Sequence, residues 1–205
     1  MMAHNASNVA DPISQFTVTI LDATNSPLNG ATVTVDFTAC CNDIKVATTQ
    51  SFAGLTVVGK TVSAVTNVAG VATFRIEGAA SDVTAPPIPG IVTPTVSIAA
   101  GGCATITATP SGGSPVLITN GIDHPTAFVH AWDLNGAVGG TGLNGTDLSL
   151  HFYDVLSTGS PFLQQRQRSD FNHNGVVQGN DSSLLAAVIL SNSSHNGQAA
   201  FSTCP

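Results

Sequence analysis

The sequence predicts an antiparallel β-sandwich followed by a small α-helical module, and three features lead to this fold class. Apolar and polar residues alternate in short runs between residues 16 and 131, as they do in strands with one buried face. Turn-forming Gly, Pro, Asn and Asp separate these runs at intervals of roughly eight to twelve residues, which is typical of a sandwich. After residue 131, two loops rich in Asp, Asn and Gly each precede an apolar segment of helical length.

The strands can be placed by their alternation. FTVTIL at residues 16–21 and ATVTVDF at residues 31–37 are joined by a turn that contains Pro, Asn and Gly. We expect both to be half-buried antiparallel strands, with Val33, Val35 and Phe37 facing the core. The other strand candidates are residues 55–58, 61–65, 71–76, 95–99, 104–109, 115–119 and 126–131.

These strands assign residues 1–131 to the sandwich and residues 132–205 to the helical module. Residues 84–94 hold four of the eleven prolines, and proline donates no hydrogen bond to a strand ladder. This segment is therefore an extended connection, which either separates two subdomains or crosses from one sheet to the other. We expect one continuous sandwich, because the strands that follow this segment would form only a small domain alone.

The composition leaves few charged residues for the surface. Only 8% of residues are charged, against roughly 25% in an average soluble domain, which indicates a surface covered by other subunits or by glycan. The net charge is −7 and basic residues are scattered, so nucleic acid is excluded as a partner. No apolar run approaches the roughly 18 residues of a membrane span. N-glycosylation sequons begin at Asn5, Asn144, Asn180 and Asn192. The second and third lie within the Asp/Asn/Gly loops, which argues against glycosylation of both.

Four cysteines, Cys40, Cys41, Cys103 and Cys204, indicate an oxidising compartment. None belongs to a C-x-x-C pair, so a structural zinc site has little support. We expect two disulfides, in which one of the adjacent Cys40 and Cys41 bonds Cys103 and the other bonds Cys204; which of them does so is left open. The alternative is four reduced thiols in a cytosolic protein. Residues 1–12 lack the apolar run of a signal peptide, so export would require a leader that was removed or lies upstream.

Two segments of the sandwich resemble bacterial Ig-like and carboxypeptidase-regulatory-like domains. These families contain a D-x-x-G-x-P-L-x-G-A turn and a T-D-x-x-G-x-A-x-F strand. The matching residues are Asp22, Pro27, Leu28, Gly30 and Ala31 in the first motif and Thr66, Gly70, Ala72 and Phe74 in the second, with Asn67 in place of the usual Asp. The resemblance covers about residues 16–80. It implies a spacer, adhesin stalk or assembly module without a catalytic centre.

The second Asp/Asn/Gly loop has the ligand spacing of a calcium site. Calcium binds about six to eight oxygen atoms at alternate positions of a tight loop. The predicted ligands, at loop positions 1, 3, 5, 7 and 12, are Asp170, Asn172, Asn174, the carbonyl of Val176, and Asp181. The last of these also stands where it can cap a helix over residues 182–190. Because the loop has only two carboxylates, its Kd should be on the order of 10⁻⁴–10⁻³ M.

The first loop repeats this pattern less regularly. Asp133 and Asn135 open it, and Asp147 precedes an apolar helix predicted over residues 148–156. Three extra residues separate its ends, compared with the second loop. Its fifth position has no acid, so Asn144 or a backbone carbonyl would replace the missing ligand.

The two loop–helix units together resemble dockerin repeats, in which a calcium loop is followed by a single helix. The D-x-N-x-N-G-x-V-x-x-x-D pattern of residues 170–181 carries this resemblance. We expect a secreted, non-enzymatic structural subunit of a filament or surface layer, which binds copies of itself or another extracellular protein. The alternative is a docking module that tethers a carbohydrate-binding or cell-surface protein to a cohesin-like partner. No G-x-S-x-G motif occurs and Glu77 has no evident carboxylate partner, so we expect no enzyme.

Overall fold

The computed structural model describes residues 15–40, 44–50, 52–80, 104–118, 126–127, 132, 134, 145–156, 169–171 and 176–191. Within these residues the chain is mainly β, with several antiparallel sheets and two α-helices. The strands are β1 (Phe16–Thr19), β2 (Thr32–Asp36), β3 (Ile44–Val46), β4 (Thr56–Val58), β5 (Thr61–Val65), β6 (Val71–Phe74), β7 (Gly78–Ala80), β8 (Ala104–Thr109), β9 (Val116–Leu117) and β10 (Thr126–Ala127). The helices are α1 (Gly145–Leu156) and α2 (Gly179–Ser191), and Thr38–Cys40 form a short 3-10 helix.

The largest sheet has six strands, with β2 between β5 and β8. Its order is β10-β8-β2-β5-β4, and β9 also pairs with β8. Alternation along β2 gives the burial that the sequence predicts, because Val33, Val35 and the following Phe37 are buried while Thr32 and Thr34 are only partly buried. A fully buried Val or Phe side chain contributes roughly 1.5–3 kcal/mol, so this register is strongly favoured over a shift by one residue.

Two smaller antiparallel sheets contribute to the same hydrophobic cluster. β1 pairs with β6 and β3 pairs with β7. Val35 of the large sheet, Phe74 of β6 and Ile44 of β3 all belong to this cluster. Phe16 of β1 stacks on Phe74, with ring centroids 5.0 Å apart. All three sheets therefore share one core.

The turn after β1 crosses between sheets and does not close a hairpin. β1 pairs with β6, whereas β2 pairs with β5 and β8. Alternation fixes which face of each strand is buried, but it does not determine the partner strand. The predicted strand at residues 115–119 is present only as β9, and of the predicted strand at residues 126–131 only β10 lies within the described residues. β3 and β7 were not predicted, because three residues are too few to show a period.

The two motifs of the Ig-like resemblance contact each other directly. Thr66 Oγ1 donates to the carbonyl of Leu28 at 2.7 Å and accepts from the amide of Ala31 at 2.9 Å. Gly70 has a φ of +70°, and a Cβ there would lie 2.5 Å from the carbonyl oxygen of Ile20. Only glycine fits both the left-handed backbone and this close approach. The second motif therefore holds the turn of the first in place.

Both predicted helices are present and begin earlier than expected. α1 begins at Gly145 and not at residue 148, and α2 begins at Gly179 and not at residue 182. Their apolar residues form a hydrophobic cluster separate from that of the sheets. None of the helices in the described part of the chain is long and apolar enough to cross a membrane.

Several predictions lie outside the described residues. These are the proline segment at residues 84–94, the strand at residues 95–99, and Cys41, Cys103 and Cys204. Cys40 is buried at the end of the 3-10 helix and is disulfide-bonded. The identity of its partner cysteine stays a prediction.

Candidate functional site

The described residues include half of the predicted calcium ligands. Asp147, Asp170, Val176 and Asp181 are described; Asp170 and Asp181 are the two ends of the second loop, and Asp147 is the end of the first. The other predicted ligands, Asp133, Asn135, Asn172 and Asn174, lie outside the described residues, as does Asn144. The site is therefore built from the ends of the loops and from the helices that follow them.

The ends of the second loop are buried. Asp170 is 8% exposed and Asp181 is 0% exposed, while the side chain of Val176 is exposed. Asp181 lies inside the first turn of α2, where its Oδ2 accepts a hydrogen bond from the amide of Gln178 at 3.0 Å. The carbonyl of Gln178 in turn accepts from the amide of Ser182 at 3.2 Å. Asp181 thus caps α2 from its third residue, and not from the position before the helix as predicted, because the helix begins three residues earlier.

Asp147 has the equivalent position in the first repeat. It is the third residue of α1, as Asp181 is of α2, and it is 0% exposed. Its Oδ1 accepts from the amide of Leu134 at 2.7 Å. Leu134 stands between the predicted ligands Asp133 and Asn135 in the sequence. This hydrogen bond therefore joins the beginning of the first loop to its end.

The side chains between the two repeats form a small hydrophobic cluster. Trp132 and Phe171 have ring centroids 4.6 Å apart and are both fully buried. Leu134, Leu150 of α1, and Leu185 and Val188 of α2 complete the buried part of this cluster. Because Phe171 directly follows Asp170, the only tryptophan of the chain lies next to the beginning of the second loop.

Besides Asp147, two buried residues of α1 are polar, and each contacts a serine that flanks the second loop. His151 Nε2 lies 2.8 Å from Ser182 Oγ. Asp154 Oδ2 accepts from Ser169 Oγ at 2.5 Å. The ring of His151 also lies 5.5 Å from that of Phe171. Burial lowers the pKa of His151 below 6.5, and the charge of Asp181 opposes this shift. His151 is therefore neutral at pH 7.

These contacts were not predicted from the sequence. The Asp and Asn positions of the loops predict the ligands, whereas Ser169 and Ser182 flank the second loop and His151 and Asp154 lie in α1. An alignment of the two helices would have shown the signal, because α1 has polar residues where α2 has apolar ones.

Of the sequons, only Asn180 is described. It is an exposed residue in the first turn of α2, and the hydroxyl of its sequon serine, Ser182, is engaged with His151. Asn5, Asn144 and Asn192 lie outside the described residues.

The described side chains alone do not form a complete metal site. Among the residues that the structure describes, no group of three His, Cys, Asp or Glu side chains could hold a metal ion together. What they provide is buried carboxylates at the loop ends where the sequence pattern places calcium ligands. No protein-family model, curated protein or solved structure is significantly similar to the chain.

Proposed function

We propose that the chain is an extracellular, non-enzymatic structural subunit in which an Ig-like β-sandwich is followed by a calcium-stabilised, dockerin-like pair of loop–helix repeats. The single observation that carries this proposal is the burial of Asp147, Asp170 and Asp181 at the ends of the two loops. An ordinary solvated turn leaves its carboxylates in water, since burying a charged group is costly unless a counter-charge and hydrogen bonds compensate it.

The charge balance of this region supports a bound cation. Residues 132–205 contain five aspartates and two basic residues, Arg166 and Arg168. Four of the aspartates are buried, so this region of the sequence has more buried carboxylates than Lys and Arg side chains. A divalent cation would add positive charge, and calcium suits a site of carboxylate, amide and backbone oxygens.

The predicted ligands fit this ion. In the second loop, Asp170, Asn172, Asn174, the Val176 carbonyl and Asp181 would hold it; in the first loop, Asp133, Asn135 and Asp147 would do so. Thiolate and imidazole, which softer metals prefer, are absent from this ligand set. Bound calcium would order each loop against its helix.

The sheets suit a structural role because their turns are held by contacts within the chain. Thr66 and Gly70 fix the first turn without any ligand. The low charge content, together with exposed apolar side chains such as Val58, Val65 and Val116, favours a surface that is covered by other subunits or glycan. The predicted disulfides would stabilise such a subunit outside the cell.

Calcium binding can be tested with two aspartate variants. Asp181→Asn replaces a buried predicted ligand, and Asp22→Asn is the matched control in an exposed turn. Calcium at about 100 times its Kd should stabilise the wild type by about 2.7 kcal/mol. We expect the control to keep this increment and Asp181→Asn to lose most of it, measured by urea unfolding in calcium and in chelator. An equal increment in both variants would contradict the assignment of Asp181.

Assembly can be tested by light scattering on protein purified under oxidising conditions. We expect large assemblies in calcium that become smaller in chelator. A stable monomer in both conditions would contradict self-assembly and leave calcium binding unaffected.

One observation favours the docking module as a second candidate function. The two helices expose matching residues: Ser149 corresponds to Ser183, and Leu156, 77% exposed, corresponds to Leu190, 84% exposed. Such a duplicated face would suit a partner protein. Under this function a cohesin-like domain should bind the chain. Replacement of both Leu156 and Leu190 by Ala should abolish this binding. A chain that binds no cohesin-like domain would contradict the docking function.

A further inference from the structure

The two serines that flank the second loop are both held by α1. Ser169 directly precedes residues 170–181 and donates from Oγ to Asp154 Oδ2 at 2.5 Å. Ser182 directly follows them, and its Oγ lies 2.8 Å from His151 Nε2. A helix of the first repeat thus contacts the second loop at both of its ends.

The second helix has apolar residues at the equivalent positions. When α1 and α2 are aligned on their third residues, His151 corresponds to Leu185 and Asp154 corresponds to Val188. All four side chains are buried. Polar groups in a core are costly unless they are hydrogen-bonded, and Ser182 and Ser169 provide such partners for His151 Nε2 and Asp154 Oδ2.

We propose that His151 and Asp154 form a polar clamp that positions the second loop for calcium. This inference rests on the proposed calcium binding and names the residues that control its affinity. Holding both ends of a loop reduces the conformational entropy that is lost when the loop closes around an ion. The clamp also makes calcium binding by the second loop depend on the fold of the first repeat.

The serines allow a test with controls in the same helices. Ser169→Ala and Ser182→Ala remove the two clamp hydroxyls. Ser149→Ala and Ser183→Ala are the controls, because these exposed serines donate only to the carbonyl four residues earlier in their own helix. In calorimetric titrations of the full chain with calcium chloride, we expect each clamp variant to raise the Kd about fivefold to tenfold. The controls should change it less than twofold.

A second measurement separates positioning from general stability. Thermal unfolding in chelator and in calcium should show that the clamp variants mainly lose the calcium-induced increase in midpoint, and Ser182→Thr, which keeps the hydroxyl, should retain it. Equal losses in chelator and calcium, or a Kd no weaker than that of the controls, would overturn the clamp while leaving calcium binding intact. A wild-type chain that does not bind calcium would overturn both proposals.

Discussion

Asp22 and Asp181 both lie in turns rich in Asp, Asn and Gly, but their surroundings differ. Asp22 is exposed, and its Oδ1 accepts from the amide and hydroxyl of Thr24 at 2.8 and 2.7 Å and from the amide of Ser26 at 2.9 Å. Asp181 is fully buried at the beginning of α2. The same residue type therefore forms a water-exposed turn in one region and the buried end of a loop in the other.

This difference distinguishes a turn that is held by its own side chains from a loop for which we propose a bound calcium ion. Asn67 repeats the pattern of Asp22, since its Oδ1 accepts from the amides of Ala69 and Val71 at 2.9 and 3.1 Å. Both side chains fold back onto their own turns, so neither turn needs a ligand. In the repeats, the carboxylates are buried, and under the proposed function a calcium ion would compensate their charge.

The largest effect should come from breaking the sheet region at Gly70. Gly70→Ala places a Cβ 2.5 Å from the Ile20 carbonyl on a backbone with φ +70°, so we expect a loss of about 3 kcal/mol or more. Gly112→Ala is the control, because φ is +72° but no atom lies within 4 Å of its Cβ; it should cost about 1–2 kcal/mol. Urea unfolding in chelator measures both, and equal losses would contradict the close approach.

A smaller effect should follow from Thr66→Val, which keeps the shape of the side chain and removes its hydroxyl. The carbonyl of Leu28 and the amide of Ala31 each lose a partner. We expect a loss of about 2 kcal/mol, the same in calcium and in chelator. A loss that appears only in calcium would contradict the expectation that the stability of the sheets does not depend on calcium binding by the repeats.

The pH dependence of the repeats should be smaller again. Burial lowers the pKa of His151 below 6.5, so folding favours the neutral ring. Its contribution is fully present above pH 6.5 and is lost as the pH falls through the lowered pKa. We expect the unfolding midpoint to fall between pH 7 and pH 5, measured in chelator. The midpoint of the His151→Leu variant, which has the residue found at the equivalent position Leu185, should fall less over this pH range. The same fall in the variant and the wild type would contradict the assignment of this pH dependence to His151.

The smallest effect should come from Asp22→Asn. Hydrogen bonds from Thr24, and then from Ser26, lower the pKa of Asp22 below 3.8. Its contribution is therefore present above pH 3.8 and lost as the pH falls further. Because Asp22 is exposed, we expect Asp22→Asn to change the free energy of unfolding only slightly at pH 7. At pH 2 the variant and the wild type should be equally stable, as measured by urea unfolding. A large change at pH 7 would show that this turn is not a solvated one.

Much of the sheet region could be predicted from the sequence because its pattern is local. Val33 and Val35 are buried and β5 and β8 have their predicted bounds, since alternation directly reports one buried face. The pairing of β1 with β6 could not be predicted, because a strand's partner depends on contacts distant in sequence. The contact between His151 and Ser182 was missed for a similar reason, since the two residues lie 31 residues apart in the sequence.

The central claim is that calcium stabilises the repeats and leaves the sheets unchanged. Trp132 is the only tryptophan and lies in the repeat cluster, so its fluorescence reports on the repeats, while the β-strand component of the amide I infrared band reports on the sheets. Thermal unfolding should be followed by both signals in millimolar calcium and in chelator. We expect calcium to raise the unfolding temperature reported by Trp132 and to leave the unfolding temperature of the sheets unchanged. A Trp132 midpoint that is the same with and without calcium would contradict the account.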